Sequence, residues 1–326
     1  MHSNENVLGP SPLAVEAAQA AMASAHRYPD PQGTELKARL AERHDVDEEH
    51  VVVAHGSTEL IDLLVRTFVL PGQTVVCAWP SFVMFRRATQ AANREVLLAP
   101  LRRERVDLAA LAALVDRRTK IVFLSNPNNP TGTYVRRREL SAFLDRIPPH
   151  VIVVLDEAYF EFATASDFPD GMSAVRARPR VVVLRTFSKL FGLAGLRVGY
   201  GVMDPALASL LEAARPPYGT AGPALAAAAA ALSDVLHVER SLQVVHAERP
   251  RLVTGLEHLG LKVLPSQANF VCARTPGPAD PIVEMLRTRG VLVTPLAGYD
   301  MPDAFRAAVG TAPMNQALLD ALVGLT

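Results

Sequence analysis

One lysine in this chain has neighbours that suit an amine nucleophile. The stretch "TFSKLFGLAGLRVGY" (186–200) places Lys189 just after an apolar run and among small and apolar residues. Partial dehydration favours the neutral amine of a lysine, which is the form that makes a Schiff base with an aldehyde. Thr186, Ser188 and Arg197 add hydroxyls and a guanidinium, which suit phosphate oxygens. A single lysine is more often an exposed surface group, but that alternative does not account for the other three residues.

A second stretch has the features of an anion site. In "HGSTEL" (55–60), Gly56, Ser57 and Thr58 end an apolar run and begin a helical pattern. Backbone N–H groups, two hydroxyls and the positive end of a helix dipole would there face an anion such as phosphate. Taken alone, the stretch is more typical of an ordinary helix N-cap.

A third stretch, "SNPNNPTG" (125–132), combines three asparagines with two prolines after an apolar run. Such a turn is rigid and holds amide side chains in fixed directions. An amide held in this way suits a hydrogen bond to a ring hydroxyl or a carboxylate. An asparagine-rich loop without a function is the alternative, although it leaves the neighbouring motifs unexplained.

A carboxylate ends the most apolar run of the chain, "VIVVLDEAYFEF" (151–162). Burying a carboxylate is costly unless a cation meets it, so Asp156 requires a positive partner such as a protonated ring nitrogen. Tyr159 could direct its hydroxyl to the same ring. The alternative is that Asp156 caps the following turn and that Glu157 and Glu161 are solvated.

The four stretches together match one cofactor. They offer a phosphate site, an acid for a ring nitrogen, a tyrosine and an asparagine for a ring oxygen, and a lysine for an aldehyde. Those are the groups that pyridoxal 5′-phosphate (PLP) requires of a protein. The residues therefore predict a PLP site, and they predict no metal centre.

The elements between the motifs predict an α/β protein. Helical patterns separate short β-branched runs, namely "VVVAHG" (51–56), "TVVCAW" (74–79), "KIVFLS" (120–125), "VIVVLDEAY" (151–159), "RVVVLRTFS" (180–188) and "RVGYGV" (197–202). This alternation favours a mostly parallel sheet with helices on both faces, whose carboxyl edge binds ligands. We expect an N-terminal segment (1–28) that packs with the small domain, a large domain (29–215), and a connecting helix with a smaller α+β C-terminal domain (216–326).

The balance of charged side chains limits which binding partners to expect. The 326 residues carry 33 basic and 33 acidic side chains, a balance that gives no field for nucleic acid or an anionic membrane. Small molecules are therefore the expected partners. Cys77 and Cys272 lie in apolar runs and are expected to be buried thiols. Because we find neither a signal-peptide pattern nor an apolar run long enough to span a bilayer, we expect a cytoplasmic protein.

Several of these motifs, taken together, resemble those of a known protein family. The order and spacing of "NPNNPTG", "DEAYFEF" and "TFSKLFGLAGLRVGY" are similar to those of fold-type-I aminotransferases of classes I and II, closest to the histidinol-phosphate aminotransferase group. Further similar stretches are "NENVLGPSP", "RYPDPQG", "HGSTELI", "WPSFVMF", "SQANFVCAR" and "FRAAVGT". The resemblance implies the PLP-dependent transferase fold, with a large domain and a smaller C-terminal domain, in a homodimer.

The resemblance also implies residue roles. Lys189 would hold the cofactor and move the proton between the substrate's Cα and the cofactor, while Asp156 would pair with the ring nitrogen. Asn129 and Tyr159 would bond the ring oxygen, and Phe82 would stack on the ring. Further cofactor contacts would come from Gly56, Ser57, Thr58, Thr186, Ser188 and Arg197, with Tyr28 supplied by the second subunit. Substrate contacts would come from Arg306, which holds the α-carboxylate, and from Asn6 and Thr294.

The chain departs from this group at one place in the site. Thr294 occupies a position where the group usually has a second arginine, which binds a distal phosphate or carboxylate. Losing one charge-assisted hydrogen bond shifts substrate preference without deciding it. The chain also begins almost at "NENVLGPSP", so we expect it to lack the arm that relatives carry ahead of this stretch.

The expected reaction is transamination. A ping-pong exchange would move an amino group from a donor, such as histidinol phosphate or an aromatic or related amino acid, to a 2-oxo acid. A PLP-dependent decarboxylase, oxidase or lyase of a specialised biosynthetic pathway is the alternative on the same fold. A regulatory domain that binds the cofactor without turnover is a further class, although we expect no DNA-binding extension, which argues against it.

Overall fold

A computed structural model describes residues 1–325, which form two β-sheets and the helices that cover them. The α-helices are α1 (Pro12–Met22), α2 (Thr34–His44), α3 (Ser57–Phe68), α4 (Val83–Ala91), α5 (Leu108–Leu114), α6 (Arg137–Arg146), α7 (Gly171–Ala177), α8 (Pro205–Ala214), α9 (Gly222–Ser233), α10 (Val235–His258), α11 (Asp280–Thr288) and α12 (Ala312–Leu322). The strands are β1 (Val51–Ala54), β2 (Thr74–Trp79), β3 (Glu95–Arg102), β4 (Arg105–Val106), β5 (Thr119–Ser125), β6 (Ile152–Asp156), β7 (Val181–Thr186), β8 (Gly199–Val202), β9 (Lys262–Val263), β10 (Phe270–Arg274), β11 (Thr294–Pro295) and β12 (Ala304–Ala308).

The large sheet has eight strands in the order β1-β8-β7-β6-β5-β2-β3-β4. Strands β3, β2, β5, β6 and β7 are parallel, whereas β1, β8 and β4 pair antiparallel with their neighbours. The predicted α/β fold with a mostly parallel sheet is therefore confirmed. Strand β8 is antiparallel because residues 187–198 join it to β7 without an α-helix, and a parallel return requires a longer, usually helical, crossover.

Side chains of the central strands alternate between two apolar layers. Val153 and Val183 contribute to one layer with α2, α5, α6, α7 and α9, whereas Val154 and Val182 contribute to the other with α3, α4 and α8. Both faces of the sheet are thus covered, which explains why these strands are almost continuously apolar. The carboxyl ends of the strands remain at one open edge.

The second sheet belongs to the C-terminal part of the chain. Its order is β11-β12-β10-β9, and its paired strands are antiparallel. Apolar residues of α10, α11 and α12 pack on it. Cys272 in β10 and Cys77 in β2 are free and buried, and burial raises the pKa of each thiol to about 12. The expectation of buried thiols is confirmed.

The N-terminal segment contacts both parts of the molecule. The backbone nitrogen of Ala308 in β12 donates to Met1 O at 2.9 Å, while α1 packs on α9 beside the large sheet. Helix α9 itself contributes to the apolar layer of the large sheet. Within residues 1–325, no helix combines the length and apolarity that crossing a membrane requires.

Candidate active site

A cavity of about 330 Å³ lies at the carboxyl edge of the large sheet, where it meets the N-terminal segment and the second sheet. Eleven residues predicted from the sequence line it: Ser57, Thr58, Phe82, Asn129, Asp156, Tyr159, Thr186, Ser188, Lys189, Arg197 and Arg306. Seven others were not predicted: Ser3, Asn4, Glu5, Ser125, Ala158, Ala194 and Tyr299. The fold therefore brings the four chemical motifs together.

The hydroxyls and Arg197 form one cluster, which we call the hydroxyl–arginine cluster: Ser57, Thr58, Thr186, Ser188 and Arg197. Helix α3 begins at Ser57 without a side-chain cap, so the backbone N–H groups of Ser57 and Thr58 lack helical partners. Thr186 Oγ1 lies 3.1 Å from Ser188 Oγ, and Arg197 Nη1 lies 3.4 Å from the same oxygen. Free amides, hydroxyls and a guanidinium at one helix N-terminus make an anion site.

Two glycines allow this cluster to form. Gly56 precedes α3 with φ +81°, and a Cβ there would come within 2.7 Å of Arg197 Nη2. Gly199 begins β8, and a Cβ there would lie 2.2 Å from the backbone nitrogen of Ser57. Gly56 does not line the cavity, but its missing side chain leaves space for the guanidinium.

Lys189 follows the end of β7 and is half-buried. Its Nζ donates to the carbonyl of Ser3 at 2.9 Å. Burial is the main cause that lowers the pKa of Lys189 from 10.5 to about 8; the positive charge of Arg306 acts in the same direction, and Glu5 opposes it. A sizeable fraction of the amine is therefore neutral near pH 7–8, which is the form that reacts with an aldehyde.

Asp156 ends β6 and is 3% exposed. Its Oδ1 accepts a hydrogen bond from the backbone nitrogen of Ala158 at 3.1 Å, so it also caps the turn as the alternative proposed. Burial raises the pKa of Asp156 from 3.8 to about 6, although the charge of Lys189 opposes the shift. A buried carboxylate without an ion-pair partner among residues 1–325 fits a cationic ligand atom.

The structure contradicts one part of that alternative, because Glu157 is buried rather than solvated. It is 1% exposed, and its Oε2 accepts hydrogen bonds from Arg185 Nε at 3.1 Å and Nη2 at 2.8 Å. Adjacent residues at a strand end face opposite ways, so Glu157 turns away from Asp156 toward the neighbouring strand β7. The guanidinium carbon of Arg185 lies 3.8 Å from the centre of the Phe160 ring. The buried ion pair between Arg185 and Glu157 thereby stabilises the loop that follows Asp156.

Tyr159 and Asn129 face the cavity from two further loops. Tyr159 is 4% exposed, and its hydroxyl accepts from Asn4 Nδ2 at 3.1 Å. Burial raises the pKa of Tyr159, so the phenol remains protonated at neutral pH. Asn129 Oδ1 accepts from Arg306 Nη1. The amide nitrogen of Asn129 thus remains available as a donor to a ring oxygen.

Arg306 lies in the middle of β12, opposite Thr294 of β11. Its Nη2 donates to Thr294 Oγ1 at 3.3 Å and to His2 O at 3.2 Å, while its buried Nε has no partner within residues 1–325. An arginine that keeps free hydrogen-bonding capacity in a cavity suits a planar anion such as a carboxylate. Thr294 does not line the cavity, but its hydroxyl contacts this guanidinium.

Two residues predicted to belong to the site, Asn6 and Tyr28, lie outside the cavity of their own chain. The Nδ2 of Asn6 donates to Leu190 O at 2.7 Å and to Ser241 Oγ at 2.9 Å, so that the amide connects the N-terminal segment to the body of the protein. Tyr28 is 82% exposed and stacks on Tyr218 at 4.7 Å. Neither residue lines the cavity of its own chain.

Sequence reasoning missed the residues that reach the cavity through tertiary contacts. Asn4 has a left-handed backbone (φ 55°) and is 1% exposed, but a buried asparagine has no distinct sequence pattern. The "NEN" stretch itself was a signal, since it belongs to a motif that the resemblance included. Tyr299 lies in the turn after β11, and its position at the cavity follows from how that turn packs rather than from a sequence pattern.

The residues present fit PLP. The hydroxyl–arginine cluster suits a phosphate, and the unpaired Asp156 suits a cationic ring nitrogen. A cavity of about 330 Å³ is also in the range of small-ligand sites.

Comparison with known proteins agrees with this geometry. The model of the family "Aminotransferase class I and II" matches residues 1–322. A histidinol-phosphate aminotransferase of Anaeromyxobacter sp. (strain Fw109-5) is 48% identical over 322 residues, which cover 98% of this chain and 88% of the relative. Histidinol-phosphate aminotransferase 2 of Pseudomonas fluorescens (strain Pf-5) is 42% identical and covers 98% of this chain and 86% of the relative.

Solved structures agree as well. The histidinol-phosphate aminotransferase of Sinorhizobium meliloti, in complex with pyridoxal-5′-phosphate, superposes with a TM-score of 0.93 at 28% identity, covering 100% of this chain and 90% of that one. The L-threonine-O-3-phosphate decarboxylase of Porphyromonas gingivalis has a TM-score of 0.87 at 23% identity, covering 99% and 98%, and that likeness concerns the fold alone. The chain belongs to the aminotransferases of class I and II and is a PLP-dependent aminotransferase.

Proposed function

We propose that this aminotransferase moves an amino group between histidinol phosphate, or an aromatic or related amino acid, and a 2-oxo acid. The observation that carries the proposal is the convergence of Lys189, Asp156 and Arg306 with the hydroxyl–arginine cluster in one cavity. Relatives at 42–48% identity that are named histidinol-phosphate aminotransferases support this choice of donor. The comparisons give no support to a decarboxylase, oxidase or lyase.

The proposed roles start at the phosphate end. The hydroxyl–arginine cluster binds the cofactor's phosphate, because its free amides, hydroxyls and guanidinium all donate hydrogen bonds. Asp156 holds the ring nitrogen in its protonated form, since a nearby cation lowers the cost of a buried carboxylate. Tyr159 and Asn129 donate to the ring oxygen, and Phe82 covers one face of the ring. When bound, the cofactor supplies a sink for the electrons released as a Cα bond breaks.

Lys189 and Arg306 act on the substrate. Lys189 would hold the cofactor through its aldehyde group, and its amine would accept and return the proton at the substrate's Cα. Arg306 orients the substrate's carboxylate or phosphate through its guanidinium. Fixing that anion determines which Cα bond faces the reactive groups, so Arg306 favours proton transfer over loss of carbon dioxide.

The site favours a substrate with one anionic group near Cα. Within residues 1–325, the cations that line the cavity are Lys189, Arg197 and Arg306. The first two are assigned to the cofactor, which leaves Arg306 for the substrate. Thr294 contacts Arg306 with a neutral hydroxyl and therefore adds no second charge for a distal phosphate or carboxylate.

We also propose a homodimer with shared active sites. Tyr28 lies outside the cavity of its own chain and is 82% exposed, as expected for a residue that reaches the phosphate of a second subunit. Mixing the variants Lys189→Ala and Tyr28→Ala would test this. Sharing predicts that mixed dimers regain activity, because one of their two sites then has both intact residues. No regain in dimers shown to be mixed would contradict a shared site.

We propose that residues 29–215 form the cofactor-binding domain and residues 216–326 the connecting helix and small domain, and that residues 1–28 pack with the small domain. The hydrogen bond from Ala308 N to Met1 O supports the last point.

A donor screen tests the proposed function. The purified protein should be yellow, and its visible band should shift when an amino donor is added. Histidinol phosphate, phenylalanine and tyrosine would each be offered with a 2-oxo acid, and the new amino acid would be quantified. Stoichiometric amino transfer supports the proposal, whereas release of carbon dioxide or peroxide in its place would favour the alternatives.

A further inference from the structure

The only tryptophan of the chain, Trp79, connects the large sheet to the small one and stacks on Tyr299, which lines the cavity. Trp79 ends β2 of the large sheet, whereas Tyr299 and Asp300 lie in the turn between β11 and β12 of the small sheet. Trp79 Nε1 donates to Asp300 Oδ2 at 2.5 Å. The Trp79 and Tyr299 rings stack with centres 5.7 Å apart and an angle of 14° between their planes.

A cation lies close to the same indole. The guanidinium carbon of Arg86 in α4 is 5.0 Å from the centre of the Trp79 ring. A guanidinium over an indole is attracted by the electrons of the ring, which favours one orientation of the tryptophan. We call Arg86, Trp79, Tyr299 and Asp300 the interdomain contact.

Tyr299 joins this contact to the chemistry of the site. Its ring lines the cavity, whereas Trp79 and Asp300 do not. Burial raises the pKa of Tyr299, and the nearby charges of Arg306 and Arg87 oppose the shift. Tyr299 therefore lies between the substrate-facing Arg306 and the indole of Trp79, and a displaced indole would change the wall beside Arg306.

We propose that Trp79 is a positioning residue for the substrate. Through its hydrogen bond to Asp300 and its stacking on Tyr299, it holds the turn of the small domain against the large domain and fixes one wall of the substrate site. Trp79 does not touch the substrate. The consequence for substrate affinity rests on the function proposed above, whereas the contact itself does not.

The backbone at Asp300 permits a clean pair of variants. Asp300 has φ 57°, a left-handed conformation that glycine and asparagine both tolerate. Asp300→Gly removes the acceptor of the indole N–H without straining the turn. Asp300→Asn removes the charge but keeps an oxygen acceptor. Asp45→Gly is the matched control, since Asp45 is exposed, has φ 52° and ends α2 on the far side of the sheet.

Because Trp79 is the only tryptophan, its fluorescence reports the contact directly. In the holoenzyme, we expect acrylamide to quench Trp79 more strongly in Asp300→Gly than in wild type. Asp300→Asn and Asp45→Gly should remain near the wild-type value. This readout does not depend on turnover.

Kinetics test the positioning role. Asp300→Gly should raise KM for the amino donor about two- to ten-fold, the factor that the net strength of one hydrogen bond corresponds to, with kcat nearly unchanged. Trp79→Phe keeps a stacking ring and loses the N–H, so it should raise KM similarly. Combining the two variants should add little, because both remove the same bond.

Each outcome decides a separate point. Unchanged quenching in Asp300→Gly would overturn the contact. Increased quenching with unchanged KM would overturn the positioning role. A fall in kcat instead of a rise in KM would also overturn it, because the effect would then lie in the chemical step. If no donor supports transamination in the wild type, the proposed function fails, while the quenching comparison still decides whether the contact forms.

Discussion

The two regions of the cavity that we propose to bind anions are assembled in different ways. The hydroxyl–arginine cluster comes from the carboxyl edge of one sheet, and its members lie in two short stretches, 57–58 and 186–197. The region around Arg306 is assembled from distant parts of the chain. Arg306 comes from the small sheet, Asn129 from a loop of the large domain and His2 from the N-terminal segment.

This difference predicts different behaviour. The hydroxyl–arginine cluster depends on packing within one sheet and its helices, so we expect it to be preorganised before any ligand binds. The Arg306 region depends on the apposition of the two sheets and the N-terminal segment. Arg306 also keeps a buried Nε without a hydrogen-bond partner among residues 1–325, so the protein alone does not satisfy all donors of this guanidinium.

The largest effect is expected at Lys189, whose pKa is lowered mainly by burial and further by the charges of Arg306 and Arg197, one from each region. Lys189→Ala should reduce turnover by at least about 10³-fold, because it removes the group that transfers the proton. The variant should remain folded, as judged by its thermal unfolding. Lys37→Ala on α2 is the control. Residual turnover near the wild-type value would contradict the assignment.

Asp156→Asn tests the proposed contact between Asp156 and the ring nitrogen of the cofactor. We expect turnover to fall about 10²-fold, the usual cost of losing one electrostatic contact in a site. Stability should change in the opposite direction. Because burial raises the pKa of Asp156 from 3.8 to about 6, its ionised form destabilises the apoprotein as pH rises from about 4 through about 6.

Measuring the unfolding of the apoprotein tests whether the ionised Asp156 is destabilising. At pH 8, Asp156→Asn should raise the free energy of unfolding on the order of 2–3 kcal/mol, the equivalent of a pKa shift of about two units. Near pH 4 the two proteins should differ little, because the aspartate is then largely protonated. A lower stability of the variant at pH 8 would show that the carboxylate has a cation in the apoprotein.

A pair of arginine variants separates the two regions. Arg197→Ala should weaken cofactor binding about 10- to 100-fold, as expected for a charge-assisted hydrogen bond. Arg306→Ala should leave cofactor affinity unchanged and raise KM for the amino donor by a similar factor. Absorbance titration of the apoprotein gives the first quantity, and steady-state kinetics gives the second. If each variant changed both quantities equally, the two regions would not be independent.

The smallest effect is expected at Thr294. Its hydroxyl accepts from Arg306 Nη2 at 3.3 Å and donates to His2 O at 2.6 Å. Thr294→Val keeps the shape and removes both bonds, so KM for the donor should rise about two- to five-fold. Thr288→Val, at an exposed position on α11, is the control. An unchanged KM would mean that the hydrogen bond with Thr294 is not needed to position Arg306.

The sequence was most informative where function and local pattern coincide. The runs that became β5, β6 and β7 were recognisable because strands buried on both faces are almost wholly apolar. The polar residues just after them were then placed at one edge by the rule for parallel sheets. The stretches 261–274 and 290–296 were also recognised as strands, although β9 and β11 within them have only two residues each, whereas β12 was not recognised as a strand.

The amino-acid sequence by itself determined the α/β class, the mostly parallel sheet and the chemical inventory at its carboxyl edge, because these follow from local periodicity and residue type. Only the tertiary structure decided that Asn4 meets Tyr159, that Glu157 is buried against Arg185, and that Trp79 reaches Asp300. Those contacts join residues 28 to 221 positions apart, and their geometry depends on how the sheets and the N-terminal segment pack. Packing of this kind is a property of the whole fold and leaves no periodic pattern in the chain.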